Sequence, residues 1–167
     1  MNPYNEEHLV EEPAIKLFAT LGWQTVAAMD EVYGAGGTLG RETSGEVVLL
    51  PRLRAAVTKL NPTLSSGAID AAVTVLTKDR STLSAVAANQ EIYELLKGGI
   101  TVSVPDTKGG QKTGRVRIID WENPAANDFL LVSQFTVTGP LYTCRPDLVG
   151  FINGLPVVVV ELKKPGV

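Results

Sequence analysis

Three features of the sequence predict an α/β or α+β domain with a mixed sheet and a helical N-terminal half. Apolar residues recur at helical spacing up to Lys97, β-rich alternation fills the chain beyond Gly99, and Gly98-Gly99 separates the two textures. At 167 residues, 44% hydrophobic and 20% charged, the chain has the size and composition of one soluble domain with a sizeable core.

The first helix is expected over residues 6–21, from Val10, Ala14, Ile15, Phe18, Ala19 and Leu21, with Gly22 as its stop. Pro13 belongs in a first turn, so the main helix should start near Glu12, after one looser turn. Glu6, Glu7, Glu11 and Glu12 then lie near a helix N-terminus, where negative charge is favourable. The Gly-rich run from Gly34 to Gly40 fits neither dinucleotide nor phosphate-loop spacing and reads as a flexible surface loop, with no nucleotide bound there.

Leu53, Ala56, Val57 and Leu60 mark a helix from Pro51 that Asn61-Pro62 ends. Ser65 or Ser66 caps a second through about Leu76, with Ile69, Ala72, Val73 and Leu76 on one side. A third runs from near Ser81 to Lys97, with Leu83, Val86, Ala87, Tyr93 and Leu96 facing inward. Arg52, Arg54 and Lys59 read as a solvated face. Ile100 to Val104 should pair with Val116 to Ile119 across a turn at Lys108 to Lys112. Lys108, Lys112, Arg115 and Arg117 have no acid among them, and a solvated hairpin tip competes here with phosphate contact. After an Asn123-Pro124 loop, Phe129 to Thr138 reads as one strand, and Gly139-Pro140 breaks it.

The last stretch, RPDLVGFINGLPVVVVELKKP over residues 145–165, carries the chemistry. Asn153-Gly154 is a hairpin turn, which brings Asp147 back beside Glu161-Leu162-Lys163. On a strand Glu161 and Lys163 share a face, and two carboxylates with a lysine suit a hard divalent cation and a held water. On the residues alone, a Glu161–Lys163 ion pair at an exposed strand end is the simpler reading.

The turn constrains the site. A regular two-residue loop pairs Ile152 with Leu155, which sets Asp147 across from Val160 and on the opposite face from Glu161. Either a three-residue loop pairing Phe151 with Leu155, or a bulge near Gly150, is needed to turn both carboxylates to one side.

The pattern Pro146-Asp147 … Glu161-Leu162-Lys163 resembles the PD-(D/E)xK nuclease motif. The wording of residues 145–165 resembles the N-terminal endonuclease domain of the restriction (R) subunit of type I restriction-modification enzymes. VEEPAIKLFATLGW, LRAAVTKLNPTL and DWENPAANDFLLVSQFTV fit the same family, so the resemblance spans most of the chain. It implies a restriction-endonuclease-like α/β fold, a mixed sheet flanked by helices, with residues 1–167 a single nuclease domain from a longer chain. The family continues into a helix with a Gln-x-x-x-Tyr motif and then into motor domains, none of which is in this chain.

The implied activity is Mg2+-dependent hydrolysis of DNA phosphodiester bonds, with ATP used only by the motor domains. Asp147, Glu161 and the Leu162 carbonyl would hold the metal, and Lys163 would polarise the water. Glu11, with Glu7 behind it, would add an acid from the first helix, and Gln134 would support the site. Arg145 either contacts phosphate or salt-bridges Asp147, and Lys164 faces away. His8 reads as a surface residue and Cys144 as a small packing residue. The implied partners are double-stranded DNA and the methylation and specificity subunits. The rival readings are a non-catalytic docking or DNA-binding module that keeps the fold, and another PD-(D/E)xK nuclease of the repair or type III class. One cysteine excludes an internal disulfide, and the apolar runs are short, so a cytoplasmic protein is expected. The net charge of −3 means that any DNA contact must come from local patches or attached domains.

Overall fold

A computed structural model of the chain describes residues 7–105 and 110–163, with side chains for all of these except Glu7, His8, Val104, Pro105 and Lys112. The expectations for Glu6, Lys108 and Lys164, and for the side chains of Glu7, His8 and Lys112, lie outside the described residues. The chain divides into two compact units, Met1–Leu50 with Phe129–Val167, and Pro51–Asp128.

In the first unit, helix α1 spans Glu12–Thr20 after one π-helical turn over Glu7–Glu11. Pro13 accounts for that looser turn, because its ring crowds the carbonyl four residues earlier and it has no N–H to close a regular one. Gly22, at φ 89°, stops the helix and donates to the Ala19 carbonyl at 3.0 Å. Strand β1, Gln24–Ala27, follows at once. The sequence had suggested no strand here, since four residues are too few to display alternation. β1 is the parallel edge of a four-stranded sheet whose other strands are β4 (Phe129–Ser133), β7 (Leu148–Ile152) and β8 (Leu155–Val160). The order is β1-β4-β7-β8, and the last two pairings are antiparallel, so the sheet is mixed as expected.

Trp23 anchors one face, its ring 5.2 Å from Phe18 and 5.1 Å from Phe129. The indole lies over Gly150, where a β-carbon would sit 3.1 Å from the ring and would have to push it back by a few tenths of an ångström. A second cluster gathers Leu39, Leu49, Leu130, Val132, Phe135, Val149 and Phe151. Strand alternation explains this division, because Leu130 and Val132 point away from Phe129.

Leu39 comes from the Gly-rich loop, which is closed by its own main-chain hydrogen bonds and buries this side chain. Gly34 donates to the Arg41 carbonyl at 2.7 Å and Thr38 to the Val32 carbonyl at 2.9 Å. Gly37 is obligatory there, since a β-carbon would fall 2.0 Å from the Val32 oxygen. At its centre Arg41 is fully enclosed and ion-paired with an equally enclosed Glu31. Its guanidinium also donates to the carbonyls of Glu46 (2.7 Å) and Thr136 (3.1 Å), and it lies 4.0 Å over the Phe135 ring.

The expected strand from Phe129 to Thr138 is interrupted. β4 ends at Ser133, and Val137–Thr138 (β5) pairs instead with Thr143–Cys144 (β6) in a small separate ribbon. Cys144 is exposed there, so it is not the packing residue expected.

The second unit contains α2 (Leu50–Leu60), α3 (Ser66–Leu76), α4 (Ala85–Gly98) and the antiparallel ribbon β2 (Ile100–Pro105) and β3 (Gln111–Val116). α3 is capped by Ser65 and buries Ile69, Ala72, Val73 and Leu76 as the spacing predicted. α4 departs from expectation: it starts after Ser84 and buries nothing fully, and Leu83, Val86 and Tyr93 are exposed. The partner of β2 also lies earlier than Val116 to Ile119, because pairing continues to Gln111 and shortens the turn. Arg52 pairs with Asp128 at 2.7 Å, Arg54 pairs with Asp70, and Lys59 donates to the Ala126 carbonyl at 3.0 Å, so these cations bind within the unit. Among the described residues no helix is long and apolar enough to cross a membrane.

Asp120 closes the turn after β3, accepting from the Asn123 N–H at 3.0 Å, the Glu122 N–H at 3.2 Å and Arg117 at 2.9 Å. The Asn123 amide above all, then the Arg117 charge, holds its carboxyl below the usual carboxylate range. A depressed folded pKa contributes stability that is present above the ordinary aspartate value and lost as pH falls through the folded one. Urea denaturation from neutral pH down to pH 3 should therefore show a stability loss that Asp120→Asn makes shallower.

Candidate active site

The hairpin that ends the described chain solves the parity problem by the second of the two devices. Ile152 pairs with Leu155 across a tight Asn153-Gly154 turn, with φ 52° and 79°, as a primed turn requires. The ladder then slips between Gly150 and Phe151: Phe151 pairs with Pro156, but Gly150 pairs with Val158, leaving Val157 as the extra residue. Beyond the bulge Leu148 pairs with Val160, so the next step sets Asp147 across from Glu161. The ladder itself ends at Leu148 and Val160, and the bulge supplies the one-residue shift that a shared face for the two carboxylates requires.

A direct contact fixes Asp147. Its half-buried carboxylate accepts from the Leu162 N–H at 2.7 Å, which ties the two arms of the hairpin together just past β8. β8 itself closes at Val160, so Glu161, Leu162 and Lys163 are irregular backbone and not the strand end expected. Glu161 and Lys163 are exposed, and among the described residues they form no ion pair with each other.

Gln134 supports this arrangement from the neighbouring strand. Its N–H donates to the Asp147 carbonyl at 2.8 Å, and its side-chain amide reaches Glu11 Oε2 at 3.1 Å. It adopts φ 57°, a left-handed conformation that costs a residue with a β-carbon roughly 1 kcal/mol. One kinked residue thus joins Glu11, at the start of α1, to the main chain of Asp147. Arg145 turns its guanidinium to Met29 Sδ at 3.3 Å, and among the described residues it forms no ion pair with Asp147. Among the described residues no group of three or more histidine, cysteine or carboxylate side chains could hold a metal ion, so Glu11 does not join Asp147 and Glu161 in a preformed cluster.

The enclosed Arg41–Glu31 pair escaped sequence reasoning, since a lone arginine in a glycine-rich loop carries no periodic signal. The left-handed backbone of Gln134 escaped it too. The early end of β4 follows from that kink and was invisible in an alternating stretch.

The chain is similar to known proteins along nearly its whole length. The chain is 38% identical over 161 residues to the type I restriction enzyme HindI endonuclease subunit of Haemophilus influenzae, covering 95% of this chain and 15% of that protein. It is 32% identical over 170 residues to the putative type I restriction enzyme MjaIXP endonuclease subunit of Methanocaldococcus jannaschii, covering 96% of this chain and again 15% of the other. The chain therefore spans about 15% of the length of these curated relatives. The family model for the type I restriction enzyme R protein N terminus matches residues 3–167, and the chain belongs to that family.

Proposed function

We infer that this chain is the endonuclease domain of a type I restriction enzyme R subunit and hydrolyses phosphodiester bonds of double-stranded DNA with Mg2+. The observation that supports this reading is the bulged pairing, whose one-residue shift is the one needed to bring Asp147 and Glu161 to one side of the hairpin. The donor set fits a small hard cation. It offers two carboxylates on facing arms and a main-chain carbonyl at Leu162, and magnesium is commonly bound through one or two carboxylates with waters and phosphate oxygens completing the shell. When bound, the metal would supply Lewis-acid polarisation of the scissile phosphate and a more acidic water.

The chain's own groups do the rest. The Leu162 N–H holds the Asp147 carboxylate in one orientation, so this donor needs little reorganisation on loading. Lys163, exposed and unpaired with Glu161, holds the attacking water and offsets charge building on the phosphoryl oxygens. Gln134 keeps the Asp147 main chain in place and leaves Glu11 beside the site as a supporting acid. ATP-driven motor domains, methylation and specificity subunits, and a cytoplasmic location belong to the same proposal for the whole enzyme.

The test is Asp147→Ala and, separately, Lys163→Ala in the complete enzyme. DNA cleavage should fall to background while ATP hydrolysis continues at its normal rate. Undiminished cutting, or equal loss of both activities, would refute the assignment and favour a non-catalytic module.

A further inference from the structure

We propose that the outer face of the β2–β3 ribbon is a second DNA contact surface, one that grips the phosphodiester backbone of a duplex. The proposal rests on the reading that this chain works on DNA, and it concerns the unit that carries none of the Asp147 constellation.

The ladder register sorts the ribbon into two unlike faces. Ile100, Val102 and Val116 point inward and are buried. Thr101 lies opposite Arg115 and Ser103 opposite Thr113, with Gln111 further along, and all five are exposed. The described side chains of that face are hydroxyls, an amide and a guanidinium, without one carboxylate or large apolar group among them. Arg115 and Arg117 are both exposed, and the sequence from Gln111 to Ile119 holds no acid. Stable protein–protein interfaces are built around an apolar centre, and the described side chains of this face supply none. Phosphate oxygens are recognised by this donor set: arginine with serine, threonine and glutamine side chains. A two-stranded ribbon is also a shape that duplex DNA accommodates.

The foot of the ribbon extends the surface. A groove of about 510 Å3 is lined there by Lys97, Arg115, Arg117, Trp121 and Glu122, among others. Trp121 is 58% exposed, yet its indole N–H is pinned to the Leu96 carbonyl at 3.1 Å, which makes it a fixed aromatic wall. Asp120, which pairs with Arg117, is also committed to the Glu122 and Asn123 amides. Asn61 brackets the Arg117 main chain with two 2.8 Å hydrogen bonds, so the end of the ribbon is held rigidly. A chain of net charge −3 needs such a local concentration of donors if it is to hold DNA at all.

Fluorescence anisotropy with the 167-residue chain and a labelled 30-base-pair duplex of arbitrary sequence, titrated across salt concentrations, tests this. Lys97→Ala with Arg115→Ala, both on exposed side chains, should weaken binding at every sequence tried and lower the salt slope by about 2. Lys16→Ala, at an exposed cation of the other unit, should bind as tightly as the unaltered chain, and because binding is read without cleavage a failed nuclease assignment would leave this result standing. Unchanged affinity and slope in the double variant would overturn the proposal, as would the absence of any binding by the unaltered chain at low salt. Equal competition by poly-glutamate at matched charge would also overturn it, and would indicate an acidic protein partner.

Discussion

Inserting one valine between Val159 and Val160 should reduce DNA cleavage by the complete enzyme ~10²-fold or more, while the chain still folds. The inserted residue takes the place opposite Leu148, Val160 moves opposite Asp147, and Glu161 swings to the far face of the sheet. Packing would resist this only weakly. Val157 to Val160 are four identical side chains, and Val157, Val158 and Val159 are all exposed, so no buried pattern marks the correct register. The Leu162 N–H would also leave Asp147, removing the hydrogen bond that orients it. Misplacement by about 1 Å can cost ~10²-fold, and a change of face is larger. Deleting Val157 is the informative control, because it regularises the hairpin yet keeps Asp147 across from Glu161 and should preserve cutting. Plasmid cleavage by the two variants side by side decides the matter, and full activity in the insertion variant would refute the facing-carboxylate geometry.

Arg41→Ala should be the most destabilising single substitution outside the hydrophobic core, at about 3–5 kcal/mol in urea denaturation. The loss of pairing is the smaller part of this. Glu31, only 2% exposed, would be left as a buried charge without its partner. The carbonyls of Glu46 and Thr136 would lose their donors as well. Replacing Arg41 with Met and Glu31 with Leu together removes the orphaned charge, so the pair should cost less than Arg41→Ala alone. A double variant as unstable as the single one would show that the guanidinium's contacts with carbonyls and with the Phe135 ring dominate instead.

The helices were legible where one face meets a core. Ile69, Ala72, Val73 and Leu76 were placed correctly because α3 is buried along a stripe. The same logic failed for α4, whose apolar residues look equally periodic but stay exposed. Periodicity reports that a helix has an apolar face, not that anything covers it. The turn residues Asn153-Gly154 carried enough information to demand a bulge or a longer loop, and the bulge at Gly150 is what formed. What the sequence concealed was long-range: β1, Arg41 and Gln134 owe their conformations to neighbours up to a hundred or so positions away, and no local window contains both partners.

Gln134 has one further consequence. Its main chain is bonded to Asp147 and its side chain to Glu11, the residue that leads into α1, so the helix start and the hairpin share a link one residue long. Tilting α1 would drag on the aspartate's own backbone. Whatever pushes on the amino-terminal helix therefore has a mechanical lever on the position of that carboxylate, without touching it.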